Sequence, residues 1–595
     1  MWRSLAARLL WEQEVRGSNP RIPTTQAGDG VDAPGVAAVG QECPHVTDRA
    51  TGPTQSRSGA GVVLLTLASA QFLMTLDTSV MNVAIATVAK DVGTTVTGIQ
   101  FAITLYTLVM AAFMITGGKI GQILGRKRTF MIGCVVYGCG SGITSVAKTL
   151  PVLVVGWSVL EGLGAALIMP AVVALVATNF GRSERPRAYG LVASAGAIAV
   201  AVGPLVGGLF TTYLSWRWVF VGEVLVVLGI LALSTRMADS PAVPGVRLDP
   251  VGTVLSALGL GLIVYGVIRS GTWGFVQPKA DAPQWFGMSP VIWLILGGGA
   301  VLGLFALWEN RRVQYRQAAL VDPQMLRVRR LQGGLLSFFF QFLLQSGLFF
   351  VIPLFLSVAL GLSAVATGVR LLPLSVTLLL GAVGVPRLLP HTSPRRIVRA
   401  GFGLLFLGIV TLLAALDAGS GPSVVTVPLL LAGLGIGTLA SQLGAVTVSS
   451  VPDSQSGEVG GLQNTVTNLG ASIGTALSGA ILIAVLTTTF LGSVAANPAV
   501  PKELSARAQV ELSSGIPFVS DADLASALHE ADVAPAATDA IVHENTQSRI
   551  NGLRAALAVL AVLALLALAL TGRLPNTQPG DEGKDEAATL PGDDG

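Results

Sequence analysis

Charge, cysteine and histidine are all scarce in this chain of 595 residues, and each shortage closes off a class of protein. Only 12% of the residues are Asp, Glu, Lys or Arg, about half the share of an ordinary soluble domain. Mean hydropathy is +0.69, so the chain reads as an integral membrane protein with many spans. The three cysteines, Cys43, Cys134 and Cys139, form no disulfide framework. None of the four histidines, His45, His391, His529 and His543, falls in an apolar run. Proton handling within a membrane would therefore rest on carboxylates. The nucleotide-binding pattern G-x-x-x-x-G-K-[ST] is also missing, because Gly118-Lys119 is followed by Ile120.

What is present is a succession of fourteen apolar runs, from 61–87 to 550–572. At about 1.5 Å per residue each reaches roughly across a bilayer core. Lys119, Arg126, Lys127 and Arg128 follow the second run, and Arg182, Arg185 and Arg187 the fourth. Arg236 and Arg247 follow the sixth, six arginines between 311 and 330 the eighth, and Arg387, Arg395, Arg396 and Arg399 the tenth. The opposite short connections hold only Lys90, Lys148, Arg217, Arg269, Lys279 and Arg370. Basic residues collect on cytoplasmic loops, so both termini are expected in the cytoplasm and the protein in the cell membrane. The same loops account for the pI of about 9.1, and no nucleic-acid partner is expected. Trp216, Trp218 and Trp273 suit outer aromatic belts; the phenylalanines of 338–342 and 349–350 would suit flat lipophilic compounds, although lipid contact is the commoner explanation of such a run.

The runs parse as six, two and six. The expected fold is all-α: two six-helix bundles related as pseudo-repeats, plus two inserted linker helices, fourteen transmembrane helices in all. In residues, 1–58 is a disordered extension, 59–236 the first bundle, 237–310 the linker pair and 311–572 the second bundle. An extracellular loop occupies 491–549 and reads as a partly helical cap, and 573–595 is a disordered acidic tail.

The first run carries one charge before Lys90, at Asp77 near its middle. An aspartate at mid-membrane costs about 2.5–3.5 kcal/mol on insertion scales, which marks it as functional. Gln71, Thr75, Thr78, Ser79 and Asn82 share one helical face, and Asp77 points about the opposite way. A helix polar on two sides stands inside a bundle. Gln71, Thr75 and Asn82 are candidates for lining a cavity, although interhelical hydrogen bonding explains such a stripe equally well.

Three segments carry a family resemblance. Gly118-Lys-Ile-Gly-Gln-Ile-Leu-Gly125-Arg-Lys is similar to the loop 2–3 signature of the major facilitator superfamily. It departs from that pattern at Gln122, where an Asp is usual. Gly203-Pro204-x-x-Gly207-Gly208 resembles the antiporter motif of that superfamily's exporters. Leu76-Asp-Thr-Ser-Val-Met-Asn-Val-Ala84 resembles the first-helix signature of the fourteen-helix drug:proton antiporter group, quaternary-ammonium exporters included. The resemblance spans about residues 60–572 and implies a proton-coupling role for Asp77. It also implies a cytoplasmic gate loop at Gly118, Gly125, Arg126 and Arg128.

The fourth run departs again, with Ser158 where the family has Arg and Glu161 where it has Gln; Glu223 stands where Asn is common. Burial without a cationic partner favours a carboxyl's protonated form, which suits a site that loads and releases a proton. Asp77, Glu161 and Glu223 are thus expected to share proton coupling and cation recognition. Together these readings give a proton-coupled secondary transporter exporting small lipophilic or cationic compounds, as multidrug efflux pumps do. It would act by alternating access, as a monomer, with no cofactor and no metal. The alternative of the same fold is a proton-linked permease for a specific metabolite or lipid. An enzyme is not expected, since the loops offer almost only Arg and Lys.

Overall fold

The computed structural model describes residues 57–576, apart from 181–184, 240–241, 243–246, 280–281, 316, 318, 322, 390–391, 449, 451–455, 513–515 and 532. The expected extension at 1–58 and tail at 573–595 lie almost wholly outside the described residues, as do Arg182, Arg316 and His391. Without water to satisfy its backbone, a membrane segment must pair its own N–H and C=O groups, and a helix does so. All fourteen apolar runs are helical. They are α1 (Arg57–Asp91), α2 (Val96–Leu124), α3 (Arg126–Ser145), α4 (Leu150–Asn179), α5 (Arg185–Tyr213), α6 (Arg217–Ser234) and α7 (Pro250–Trp273). Then come α8 (Pro290–Gln314), α9 (Arg329–Leu354), α10 (Ala364–Leu388), α11 (Pro394–Ala415), α12 (Thr426–Val448), α13 (Ser456–Ala496) and α14 (Pro535–Leu570). No β-strand occurs among the described residues.

Twelve of these helices are long and apolar enough to cross a membrane. α5 makes a thirteenth when its two parts, Ala188–Val200 and Val202–Tyr213, bent by 43°, count as one span. The bend follows from Pro204, which has no N–H for the carbonyl four residues back. α3 falls short because Arg126-Lys-Arg128 opens it and Gly, Ser and Thr fill much of the rest.

The helix pairings repeat with a shift of eight helices. α1 packs on α5 and α9 on α13; α2 packs on α4 and α10 on α12. α3 packs on α4 and α6, and α11 on α12 and α14. Between the two sets, α2 lies against α13 and α5 against α10, and the same shift exchanges these two seams. Small residues let backbones meet there. A Cβ on Gly208 of α5 would stand 2.6 Å from the Ala364 carbonyl oxygen, and one on Gly368 of α10 would strike the Pro204 carbonyl. In the other seam Gln100 donates to the Thr475 carbonyl at 3.1 Å, and Ser472 to the Thr104 carbonyl at 3.0 Å. Both seams lie at the end of the bundle remote from the arginine-rich loops.

Helices α7 and α8 form a hairpin beside the α2/α13 seam. Thr116 and Thr253 hydroxyls meet at 3.2 Å, and a Cβ on Gly271 would lie 2.8 Å from the Ala480 carbonyl. At the hairpin's arginine-rich end, Trp308 and Arg312 both donate to buried Asp249, at 2.8 and 3.2 Å. α8 exposes Leu296, Leu304 and Leu307, as a lipid-facing helix does.

Two expectations need correction. Trp216 is no belt residue: it is buried, its indole N–H bonds Asp91 at 3.0 Å, and the Arg217 guanidinium lies over its ring. The α9 phenylalanines are largely interior, Phe338, Phe340 and Phe350 being buried, because α9 packs on α13, α12 and α14. A buried arginine also lies in α14, just before the last apolar run. Arg549 of α14 is 1% exposed and paired to Asp521 at 2.5 Å, where the segment between α13 and α14 folds back with helices Lys502–Glu511 and Asp521–Glu530. Its second N–H group reaches the Val519 carbonyl at 2.8 Å and the Val358 carbonyl at 3.4 Å. Arg549 escaped notice because it immediately precedes the last apolar run.

Candidate functional site

The structure brings Asp77 of α1, Glu161 of α4 and Glu223 of α6 together. One oxygen from each lies within 4.8 Å of the others, and the residues are 1%, 0% and 2% exposed. Among the described residues it is the one acidic, His or Cys cluster whose atoms converge as a cation's ligands would. The local sequence explains the convergence. Residues Val154–Glu161 of α4 wind as a π-helix, and the widened turn buries Gly156, Trp157, Ser158 and Glu161 together. α3 approaches α4 closely because Gly140 lacks a side chain: a Cβ there would lie 2.6 Å from Glu161 Cγ and 2.7 Å from the Gly156 carbonyl oxygen.

Every hydrogen-bond donor to these carboxylates is neutral. The Trp157 indole N–H is 2.9 Å from both oxygens of Asp77, and its ring stacks on Tyr106 at 5.1 Å between centroids. Ser141 and Tyr137 donate to Glu223 at 3.0 and 3.5 Å, and Thr144 donates to Glu161 at 3.2 Å. One oxygen each of Glu161 and Glu223 has no partner. Ser158, in the position where a family arginine was expected, donates to the Ala102 carbonyl of α2 at 2.8 Å. A charged guanidinium is thus replaced by a short interhelical hydrogen bond.

The polar stripe of α1 divides. Gln71 and Thr75 bond to each other at 3.3 Å and face Gly196 of α5. Asn82 and Ser79 instead line a recess between α1, α5, α9 and α10, with Val83, Pro204, Phe349, Pro353, Leu371, Leu374 and Ser375. The recess therefore draws walls from both repeats. The acidic cluster is not part of it, since Asp77 leaves α1 on the far side.

The antiporter-like segment is a packing surface on two fronts. Gly203 lies against Ser79 of α1, Gly207 has room only for the Val80 backbone, and Gly208 and Pro204 meet α10. In the loop between α2 and α3, Gly125 adopts φ +96°, a conformation that favours glycine. Gly118 makes only ordinary contact with Pro170, whereas Gly117 abuts the Ala166 carbonyl. Arg126 is half-buried and Arg128 exposed. Lys127 makes the clamp instead, donating to the Thr235 and Met237 carbonyls at the end of α6 at 3.1 and 2.8 Å.

The residues that sequence reasoning missed, Trp157, Tyr106, Tyr137, Ser141 and Thr144, left a signal. Trp157 stands four residues before Glu161 in one helix, and Tyr137, Ser141 and Thr144 follow i, i+4, i+7 spacing in an otherwise apolar run.

Long apolar helices packed as two repeated sets around a recess, with carboxyls sealed inside one set, define a secondary transporter. The model of the Major Facilitator Superfamily matches residues 67–475, and the chain belongs to that superfamily. It is a multi-pass membrane transporter of small molecules and not an enzyme. It is 33% identical to the puromycin resistance protein pur8 of Streptomyces alboniger, over 72% of this chain and 82% of that one. The probable actinorhodin transporter of Streptomyces coelicolor is 30% identical, over 78% and 80%. The multidrug efflux pump LfrA of Mycolicibacterium smegmatis is 27% identical, over 82% and 92%. The fold is similar to the crystal structure of a bacterial homologue of the human lysosomal transporter Spinster, inward-facing and unoccupied. That match has a TM-score of 0.54 and 15% identity, over 87% of this chain and 99% of that one.

Proposed function

We propose that this transporter is a proton-coupled exporter of small lipophilic compounds. It works as a fourteen-span monomer in the cell membrane, with the arginine-rich end and both termini in the cytoplasm. The carrying observation is the cluster of Asp77, Glu161 and Glu223 with only neutral donors around it. Two unit charges no more than 4.8 Å apart repel by about 3.5 kcal/mol or more at an effective dielectric near 20. Three full charges would bring three such repulsions, so the cluster stores at least one proton while sealed.

The two seams support alternating access as part of this reading. With these seams closed at the end remote from the basic loops, the substrate path in this state would run from the cytoplasm. When the halves 59–236 and 311–572 rock, α1 carries the coupling, because Asp77 lies on one of its faces and Ser79 and Asn82 on the other. A proton entering from outside settles on the cluster, the carrier reorients, and the proton leaves inside as the next substrate is taken up. That pur8, the actinorhodin transporter and LfrA are named for resistance, transport and efflux supports the outward direction.

Everted membrane vesicles with an imposed pH gradient test this reading. Drug accumulation should collapse on adding an uncoupler and be absent with Asp77→Asn at normal protein level. Uncoupler-insensitive accumulation, or full accumulation by Asp77→Asn, would overturn it.

A further inference from the structure

Resting on the proton-coupled reading, the hydrogen-bond donors around the acidic cluster tell its three carboxyls apart. An indole N–H only donates, and that of Trp157 meets both oxygens of Asp77 at 2.9 Å, an arrangement that suits an anion. Glu223 receives two hydroxyls on one oxygen, Ser141 at 3.0 Å and Tyr137 at 3.5 Å. Glu161 has the poorest support. Its contact is Thr144 at 3.2 Å, and that hydroxyl lies closer to the Gly140 carbonyl, at 2.9 Å. A threonine hydroxyl has a single proton, so an ionised Glu161 leaves Thr144 divided between two acceptors. The other Glu161 oxygen is buried with no partner. The titratable groups around it are Asp77 of α1, Tyr106 of α2, Tyr137 of α3 and Glu223 of α6, none of them a cation.

We infer that Glu161, and not Asp77, takes the first proton of the cluster, with Thr144 as its positioning residue. A carboxyl is neutralised first where fewest donors stabilise its anion. The neutral acid donates to the Thr144 oxygen, and Thr144 gives its own proton to the Gly140 carbonyl, so both contacts are satisfied at once. Asp77 and Glu223 keep their donors and hold that proton by their charge. In each cycle one O–H bond forms on Glu161 with a proton from outside water, and breaks as that proton leaves to inside water.

Infrared spectra of the full-length protein in nanodiscs test this, because a protonated carboxyl has its own carbonyl stretch. The bands of the cluster are those missing from Asp77→Asn, Glu161→Gln or Glu223→Gln when each is subtracted from wild type. As pH rises, the last of them to disappear should be the one missing from Glu161→Gln. Thr144→Val should shift that band, and Thr144→Ser should restore its position. A last band missing from Asp77→Asn or Glu223→Gln instead, or a band unmoved by Thr144→Val, would overturn the inference. Uncoupler-sensitive export alongside either result leaves proton coupling standing and removes only the assignment. No band missing from any of the three variants would remove the stored proton itself, and the reading beneath it.

Discussion

The indole N–H of Trp157 is shared evenly by both carboxylate oxygens of Asp77, at 2.9 Å each. One donor on two acceptors holds the carboxylate square to α4 without neutralising it. The stacking of the indole on Tyr106 fixes the ring plane that makes this possible. Hydrogen bonds to charged groups are worth about 1.5–3 kcal/mol. Trp157→Phe, which keeps the stack and removes the donor, should therefore slow gradient-driven transport by roughly ten- to a hundredfold while leaving the protein folded. Transport rates in vesicles beside a thermal melt check both halves; wild-type rates would show that the bond does not matter.

Glu161→Gln and Glu223→Gln should each depress proton-driven export at least about tenfold, because each removes a proton-binding oxygen from a cluster that acts as one unit. Substrate binding measured without a gradient should be unchanged, since neither residue reaches the recess. Full export by both variants would leave Asp77 as the sole coupling residue.

Gly368→Leu places a side chain where the Pro204 carbonyl stands, and Gly208→Val one where the Ala364 carbonyl stands. Each should pry α5 from α10 and hold that end open, with overpacking costing about 1–3 kcal/mol. Transport should stop in both. Cysteines engineered in the recess should become reactive to an impermeant thiol reagent added from outside, and unchanged labelling would count against the seam as a gate.

Two arginine pairs at the same end should differ in weight. Arg549 is buried but keeps its bonds to the Val519 and Val358 carbonyls, and Asp521 is 35% exposed, so Asp521→Asn should lower stability by about 1.5–3 kcal/mol. Arg217, paired with Asp91 at 2.6 Å, is 26% exposed, and Arg217→Ala should cost about 1 kcal/mol or less by charge alone. Melting curves of the two variants in one detergent rank them; equal shifts would refute the difference in burial as its cause.

The helices were legible because a bilayer demands long apolar segments, and Asp77, Glu161 and Glu223 because ionised groups stand out against that background. What sequence spacing could not supply was the partnering. Trp157 and Glu161 share a face at i, i+4 spacing, but nothing in that spacing shows that the indole bonds Asp77 of α1, 80 residues away. The partners of Lys127 were not legible, because only folding shows that its ammonium reaches the carbonyls ending α6. Trp216 was misread and Arg549 passed over for one reason: their partners, Asp91 and Asp521, are 125 and 28 residues away in the chain.

The two seams bear a consequence for the energetics of the cycle. Where α5 meets α10 and α2 meets α13, the contacts described are glycine on carbonyl and amide or hydroxyl on carbonyl, all without net charge. Such a doorway parts without dragging ions out of water or through the electric field across the membrane. On the proposed cycle, the contacts of these seams add no charge movement of their own to the work that voltage and acidity perform on the three acids.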